Sequence, residues 1–506
     1  MELSALIFPG EYTSTFSPRG IEITAVCYKS EQVRPGCLFV CIRGTQYDSH
    51  ALLRGAQANG AAAALVEEGA DHTAPEDLPI FTVPSTRRAM AFAYYRLHGC
   101  PAKGMHLFAV TGTNGKTSTA TMLYTILRAC GRRAALIGTV TCSSEQKNYQ
   151  PCNAQDEKRA MTTPDPDVLY PMLAAMKRDG IDHVVMEASS HALALEKLAP
   201  LHFDAAIFTN LSPEHLDFHG SMKKYLAAKA TLFSQSDCAI LNFDNDYTEE
   251  LASTIPCRIL RCGAVYHEQY NAEEVHMHGT EGISYLYSTP RLRMAVEMQI
   301  PGVFTVYNSL LALTCALRIG ISPLQAKAAL QSMGGVPGRL EKVILPPEEK
   351  FTVFIDYAHT EAALRNLLLT VRGFRRGAER IVLVFGCGGD RDKSKRAPMG
   401  RTAEELADAV IVTSDNSRSE EPTVIIHDIL KGMRRPEKRR VIVNRQRAIT
   451  YAIEEAREND IILLVGKGHE DYELTENGCR PFDEKKIVHE ALRARKKDKE
   501  HHENTP

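Results

Sequence analysis

A chain of 506 residues, 44% hydrophobic and 24% charged, has the makeup of an ordinary globular enzyme, and its length suggests about three domains. The net charge of −2 gives no reason to expect nucleic acid or an anionic membrane as partner, and no apolar run approaches the length of a membrane span. The 13 cysteines are scattered, odd in number and without a Cys-x-x-Cys pair, which fits reduced thiols in a cytosolic protein rather than a disulfide framework.

The N-terminal stretch MELSALIFPGEYTST lacks a basic region and a long apolar core, so it does not read as a secretory signal. The first hundred residues are mixed. Residues 36–42, which carry Cys37 and Cys41, read as a strand, 51–59 as a helix and 62–66 as a strand. Two Gly/Pro clusters, His98-Gly99-Cys100-Pro101-Ala102-Lys103-Gly104 and Gly334-Gly335-Val336-Pro337-Gly338-Arg339, mark joints. They predict domains 1–104, 105–336 and 337–506. In the middle segment the predicted strands are 107–110, 134–138, 183–188, 205–209 and 239–243, with helices at 118–127, 168–177 and 222–233. In the last third, 351–355, 381–385, 409–413, 441–443 and 461–465 are short and nearly continuous in apolar residues, as buried parallel strands are. The fold class is therefore α/β: an N-terminal mixed domain, a central parallel-sheet domain with a phosphate loop, and a C-terminal Rossmann-like α/β domain. The C-terminal RARKKDKEHHENTP reads as a frayed helix and solvated tail.

The apolar run at 107–110 breaks into Thr111-Gly112-Thr113-Asn114-Gly115-Lys116-Thr117, and a helical pattern follows from Ser118. Backbone N–H groups of the loop and helix start would face phosphate oxygens. Lys116 adds a mobile charge, and the Thr117 hydroxyl would sit on Mg²⁺. Only Thr113 and Asn114 separate Gly112 from Gly115, against four residues in the general Walker A spacing. In isolation such a loop is an ordinary glycine turn. The flanking strand and helix favour a nucleoside triphosphate.

Ligands of open parallel sheets lie beyond the strand C-termini. Glu187, in Glu187-Ala188-Ser189-Ser190-His191, supplies oxygen for a hard cation, though alone it would be a helix cap or surface residue. Glu214, His215, Asp217 and His219 crowd one loop, a density open to a metal role and to structural histidines alike. Lys229 has small and apolar neighbours and on pattern alone is a snorkelling lysine; burial would lower its pKa and free the amine. Four strand ends of the last third run into Asp356-Tyr357-Ala358-His359, Gly386-Cys387-Gly388-Gly389-Asp390-Arg391, Ser414-Asp415-Asn416-Ser417-Arg418 and Gly466-Lys467-Gly468-His469-Glu470. Together they favour a cleft over four separate turns. Arg391 and Arg418 suit carboxylate or phosphate, and Asp415 and Glu470 suit an amine, so a zwitterionic ligand fits.

These motifs, in this order and over nearly the whole chain, resemble those of the Mur ligases, ATP-dependent amino-acid ligases of peptidoglycan synthesis. The carriers are residues 111–117, Met186-Glu187-Ala188-Ser189-Ser190-His191, Thr209-Asn210-Leu211 with His215-Leu216-Asp217, Ala228-Lys229, and the four clusters of the last third. The resemblance implies phosphorylation of the D-Glu side-chain carboxylate of UDP-MurNAc-L-Ala-D-Glu by ATP, followed by attack of an amino-acid amine on the acyl phosphate. It implies Lys116, Glu187, His215 and Lys229 as catalytic residues and two Mg²⁺ sites, one on Thr117 and Glu187, the other on His215 and Lys229. Lys229 would carry a carbamate (N6-carboxylysine), which turns an amine into an oxygen ligand. ATP would lie against Gly112, Thr113, Asn114, Gly115, Lys116, Thr117 and Ser118, and against Asn308, Arg339, Asp356 and His359. Ser30, Thr45, Gln46, Thr162, Thr163, Ser189 and Lys197 match positions that hold the UDP-MurNAc-dipeptide. Arg391, Asp415, Asn416, Arg418, Gly466 and Glu470 match the amino-acid pocket. A monomer in the cytoplasm, with no nucleic-acid partner and no membrane insertion, is expected.

Three positions depart from the family pattern. Lys197 stands where members carry Arg, which removes a bidentate fork, and Met161 stands where some have Asn. Members that add meso-diaminopimelate read Asp-Asn-Pro-Arg where this chain reads Asp415-Asn416-Ser417-Arg418. Arg418 with Arg391 would clamp the distal carboxylate while Glu470 takes an amine. L-Lysine lacks that carboxylate and would leave Arg418 unpaired, so meso-diaminopimelate is favoured over L-lysine. A folylpolyglutamate synthase-like ligase shares the phosphate loop and modified lysine, but residues 415–418 and the N-terminal region argue against it. Intact Lys116, Glu187, His215 and Lys229 argue against a nucleotide-regulated scaffold. Lys116 and Arg418 fall in different expected domains, so domain motion is expected.

Overall fold

The computed structural model describes residues 1–44, 47–73, 75–149, 161–375, 377 and 379–503, with side chains through 496. The chain forms two compact units. One runs to Cys262 and includes Leu311–Ile321; the other holds Gly263–Leu310 and the chain from Ser322 onward.

The first unit contains two sheets built from short apolar runs. The N-terminal sheet has four parallel strands in sequential order, β1 (Ala25–Cys27), β2 (Cys37–Val40), β3 (Ala63–Glu67) and β4 (Ile80–Val83). Cys37 lies on β2, and Cys41 follows its end. The predicted helix at 51–59 is a 3-10 turn, Ser49–Leu52, continued by the α-helix Leu53–Ala58.

The next strands are β5 (His106–Thr111), β6 (Ala134–Ile137), β7 (Cys142–Ser144), β8 (His183–Glu187), β9 (Ala205–Phe208), β10 (Cys238–Asn242) and β11 (Arg258–Gly263). They lie side by side in the order β11-β10-β9-β5-β8-β6-β7, and only β7 is antiparallel to its neighbour. β6, β8, β9 and β10 are buried along their whole length, so both faces are covered. The central position of β5, between β8 and β9, sets the C-terminal ends of these three strands next to one another. The phosphate loop, the Glu187 turn and the Thr209–Asn210 turn become neighbours through this strand order.

The second unit begins with an antiparallel meander, β12 (Tyr270–Met277), β13 (Ile283–Thr289) and β14 (Leu292–Met298). The mainly parallel expectation did not include it. Along β14, Met294, Val296 and Met298 are buried while Arg293, Ala295 and Glu297 are exposed. Such alternation belongs to a half-covered sheet and lacks the continuous apolar run of a buried parallel strand.

The main sheet of this unit comprises β15 (Glu341–Lys342), β16 (Thr352–Asp356), β17 (Ile381–Phe385), β18 (Ala409–Val412), β19 (Arg439–Val441) and β20 (Ile461–Val465), in the order β15-β16-β20-β17-β18-β19. All pairs except β15–β16 are parallel. The strand expected at 441–443 is displaced by two residues, because Arg439, Arg440 and Val441 make the ladder to β18. β19 is an edge strand, and charged side chains there keep the edge from pairing further. A hairpin, β21 (Tyr472–Thr475) and β22 (Gly478–Pro481), and the helix Glu484–Glu503 follow.

Candidate active site

In the first unit, β5 delivers the chain into the loop at Gly112, which has φ +150°; a Cβ there would stand 1.9 Å from the Thr209 hydroxyl. Only glycine fits so close to the neighbouring turn. Thr113 N–H donates to the Asn210 carbonyl (2.9 Å) and Asn114 N–H to Asn210 Oδ1 (3.0 Å). Thr209 Oγ1 donates to the Asn114 carbonyl at 2.6 Å. Two loop N–H groups expected to face phosphate are thus spent on Asn210. The helix Lys116–Ala129 starts at this loop, and the positive end of its dipole favours negative charge there. Lys116 Nζ folds back on the Gly112 and Thr113 carbonyls at 3.0 and 2.8 Å.

Thr117 and Glu187 meet: the Thr117 hydroxyl donates to Glu187 Oε2 at 3.0 Å. The structure adds a residue not singled out from the sequence. Thr139 gives its N–H to Glu187 Oε1 (2.8 Å) and its hydroxyl to Oε2 (3.2 Å). It follows the end of β6, and reading that strand end as the others were read would have found it. Glu187 is 1% exposed, and among the described residues it accepts only from these neutral donors. A buried carboxylate beside a hydroxyl, with no cationic partner, fits an oxygen-seeking divalent cation.

Lys229 is 1% exposed and donates to the Gly112 carbonyl at 2.8 Å, with its Nζ 4.5 Å from the Tyr225 ring centre. Burial, with Lys116 nearby, pushes its pKa well below that of an ordinary lysine. A lowered pKa eases loss of the ammonium proton, and the resulting amine is nucleophilic. His215 has φ 56° and a half-exposed ring that meets Tyr225 edge-on at 6.3 Å. His215 and Lys229 therefore pack around the same tyrosine. His191 and His219 complete a ring cluster, at 4.8 Å between His191 and His215 and 5.6 Å between His191 and His219. Among the described residues no three His, Cys, Asp or Glu side chains form a ready-made metal site.

Thr163 and Ser189 lie together beside Glu187. Thr163 Oγ1 donates to the Glu187 carbonyl (2.8 Å) and accepts from Ser189 N–H (3.0 Å). Thr162 Oγ1 lies 3.0 Å from Thr139 Oγ1, within hydrogen-bond distance. Lys197, 7% exposed, pairs with Asp165 at 2.7 Å and reaches the Met161 sulfur at 3.4 Å. Two of the three positions expected to depart from the family pattern, Lys197 and Met161, are thus in contact. Ser30 opens the 3-10 turn Ser30–Gln32; Thr45 and Gln46 lie outside the described residues.

In the second unit, the order β16-β20-β17-β18 aligns the four polar turns at one sheet end. Asp356 accepts from the N–H groups of Leu340 (2.7 Å) and Ala358 (2.9 Å), which fixes Arg339 and His359 on either side of it. The Arg339 guanidinium lies 5.3 Å from the Tyr357 ring centre. Asn308 is buried on the helix Val303–Arg318. Arg418 has φ 52°, and its Nη1 donates to the Gly389 and Asn416 carbonyls at 2.9 and 3.2 Å. A Cβ on Gly389 would stand 1.9 Å from the Ser417 carbonyl, so the Arg391 and Arg418 turns touch through backbone. Asn416 Nδ2 donates to Glu470 Oε2 at 2.8 Å. Lys467, fully buried, donates to Asn416 Oδ1 and the Tyr472 carbonyl, both at 2.8 Å, and stands 3.9 Å from Asp415 and 4.0 Å from Glu470. Lys467 lay inside a quoted motif without a role; its position opposite two acids gives it one. Burial alone would raise the Asp415 pKa, but Lys467 and Arg445 outweigh it and hold the carboxyl below its ordinary value. The arrangement offers an arginine, a carboxylate and an amide to one zwitterionic ligand.

Residues 110–316 match the Mur ligase middle domain, and residues 338–468 match the Mur ligase glutamate ligase domain. The sequence is 40% identical over 489 residues to a UDP-N-acetylmuramoyl-L-alanyl-D-glutamate–2,6-diaminopimelate ligase of Syntrophomonas wolfei, covering 95% of this chain and 96% of the relative. The chain belongs to the Mur ligase family. A relative of the same name from Clostridium botulinum is 35% identical over 494 residues, 97% of this chain and 100% of that one. A solved 2,6-diaminopimelate ligase structure aligns with a TM-score of 0.68 at 26% identity, covering 98% of this chain and 99% of that one. The folylpolyglutamate synthase of Mycobacterium tuberculosis, solved with ADP and AMPPCP, aligns over 76% of this chain and 93% of that one with a TM-score of 0.59 at 19% identity, which shows a shared fold. Like the Mur ligases it resembles, the chain is an ATP-using ligase with parallel-sheet domains. Among its described residues no helix is long and apolar enough to cross a membrane.

Proposed function

We propose that this Mur ligase joins meso-diaminopimelate to the D-Glu side-chain carboxylate of UDP-MurNAc-L-Ala-D-Glu, with ATP converted to ADP and phosphate, as a monomer in the cytoplasm. The observation that carries the choice of amino acid is the seating of Arg418 on the Gly389 and Asn416 carbonyls beside the Asn416–Glu470 pair. A fixed guanidinium suits a distal carboxylate, and Glu470 suits the ammonium next to it. The names of the near-full-length relatives agree with this reading.

The reaction is read as three domains of work: 1–104 for the UDP-sugar, 105–336 for ATP and 337–506 for the amino acid. Attack of a carboxylate on a polyphosphate is repulsive, and Lys116 at the helix N-terminus offsets the charge that builds on the transferring phosphoryl group. Thr117 and Glu187 would hold one Mg²⁺, and His215 with the Lys229 carbamate a second; these ions supply charge screening when bound. The carbamate forms by attack of the neutral Lys229 amine on CO₂ with loss of one proton. Thr163 and Ser189 orient the substrate beside Glu187. Asn308, Arg339, Asp356 and His359 would contact adenine, ribose or phosphate of ATP. Arg391, Asp415, Asn416, Arg418, Gly466 and Glu470 orient the incoming amine, which displaces phosphate from the acyl phosphate to leave an amide.

The test is phosphate release with UDP-MurNAc-L-Ala-D-Glu, ATP and each candidate amino acid. Turnover is expected with meso-diaminopimelate and not with L-lysine. Absence of turnover with every amino acid sinks the ligase reading, and equal turnover with L-lysine sinks the role of Arg418.

A further inference from the structure

We infer that Arg445 is a positioning residue for amino-acid selection: its buried guanidinium ties the end of β18 to the end of β20, so that the 415–418 and 466–470 turns act as one recognition surface. The inference rests on the reading of those turns as the amino-acid pocket.

Arg445 is the first residue of the helix Arg445–Glu454, whose start is fixed by Asn444 Oδ1 accepting from Arg447 N–H at 2.9 Å. It is 1% exposed and among the largest fully buried side chains of the chain. Its Nε donates to Glu484 Oε1 at 2.7 Å, its Nη2 to the Val465 carbonyl at 3.0 Å and its Nη1 to the Ser414 carbonyl at 3.4 Å. Ser414 immediately precedes Asp415, and Val465 immediately precedes Gly466. In the sheet β17 lies between β18 and β20, so no backbone ladder joins these two strand ends. The guanidinium bridges the two strand ends, in addition to the direct contacts of Asn416 with Glu470 and Lys467 further along the turns.

The chemistry of the clamp is specific. A guanidinium presents donors in a rigid planar fork and can serve a carboxylate and two carbonyls at once, whereas an ammonium on a flexible stem cannot hold that geometry. Glu484, 4% exposed, supplies the counter-charge from the helix Glu484–Glu503. Burial works against the Arg445 charge, but Glu484 and Asp415 outweigh it. The turns above tolerate little displacement. A Cβ on Gly466 would lie 2.3 Å from Asp415 Oδ2, and the contacts of Asn416 to Glu470 and Lys467 are both 2.8 Å. Misplacement of a binding group by about 1 Å costs on the order of 10²-fold.

The experiment compares the wild-type chain with Arg445→Lys and Glu484→Gln in full steady-state kinetics, varying meso-diaminopimelate, ATP and UDP-MurNAc-L-Ala-D-Glu in turn. Arg445→Lys is expected to raise the KM for meso-diaminopimelate on the order of tenfold while the KM for ATP changes less than about twofold. Glu484→Gln, which keeps an acceptor oxygen for Nε, is expected to shift the same constant in the same direction by less. A fall in kcat with all three KM values unchanged, or an equal rise in all three, marks a merely structural residue and overturns the inference. Where Arg445→Lys shows no cooperative melting, Glu484→Gln decides: a selective rise in the amino-acid KM supports the clamp and unchanged constants overturn it. If the wild-type chain itself turns over no amino acid, the ligase reading fails and takes this inference with it. If the wild type is active and both variants match it, the inference alone fails.

Discussion

Glu187 and Lys229 of the first unit are buried, and neither has an ion-pair partner among the described residues. Glu187 accepts from two threonines, and Lys229 donates to the Gly112 carbonyl. In the second unit, buried charges come in opposed sets: Arg445 with Glu484, Lys467 between Asp415 and Glu470, and Arg396 between Glu420 and Asp428. A buried charge without a partner is unfavourable, and a well-bonded pair largely offsets that cost. The contrast separates two tasks. The first unit pairs its buried Lys197 with Asp165 but leaves Glu187 and Lys229 for the charges that the proposed reactants would bring. The second unit cancels its own charges and fixes a shape before any ligand arrives.

The most severe way to break the contrast is at Lys229. Lys229→Ala is expected to lower kcat by roughly 10²–10³-fold, and short carboxylic acids are expected to restore part of it by supplying the missing oxygen ligand. Unchanged activity would remove the reason for burying an amine there. Next in size is Arg418→Lys, which keeps the charge and loses the fork. Its kcat/KM for meso-diaminopimelate should fall about 10²-fold with the KM for ATP unchanged. A parallel rise in both constants would show that the second unit is not a separate recognition device. Thr139→Val removes one hydroxyl from Glu187 and leaves the backbone N–H in place. The Mg²⁺ concentration for half-maximal activity should rise about fivefold, as for loss of one hydrogen bond worth ~1 kcal/mol.

The smallest effect sharpens the comparison through pH. The Arg396 guanidinium holds the Glu420 carboxyl down to about 2 from its ordinary 4.5. Because the folded chain keeps this charge to lower pH than the unfolded chain, the contribution is complete above pH 4.5 and disappears as pH falls toward about 2. Melting of Glu420→Gln against wild type should show its full deficit at neutral pH and a shrinking one in acid. A deficit that stays constant across that range would mean that packing, and not charge, holds this pair.

The parallel strands were legible because burial on both faces leaves an unbroken apolar run, as at Ile381–Phe385 and Ile461–Val465. The meander at β12–β14 was not, because its strands are covered on one face and mix charges with apolar residues. The polar turns could be found by looking just beyond strand ends, but their partners could not. Asn210 consuming two loop N–H groups, Thr139 reaching Glu187 and Arg445 spanning two strand ends are all set by strand order and not by spacing along the chain. The depressed pKa of Lys229 was likewise invisible in its neighbours, since it depends on tertiary burial.

The contact between Lys197 and Met161 makes two departures from the family pattern into one thermodynamic unit. An arginine at 197 brings extra donors that a thioether at 161 satisfies poorly, and an asparagine at 161 beside Lys197 has fewer donors to meet. The double variant Lys197→Arg with Met161→Asn should therefore lose less than the sum of the two single losses, with a coupling free energy of about 0.5–3 kcal/mol in a double-mutant cycle. An exchange of one residue pair for the other would then pass through a less stable single variant, so the two positions are best altered in a single step.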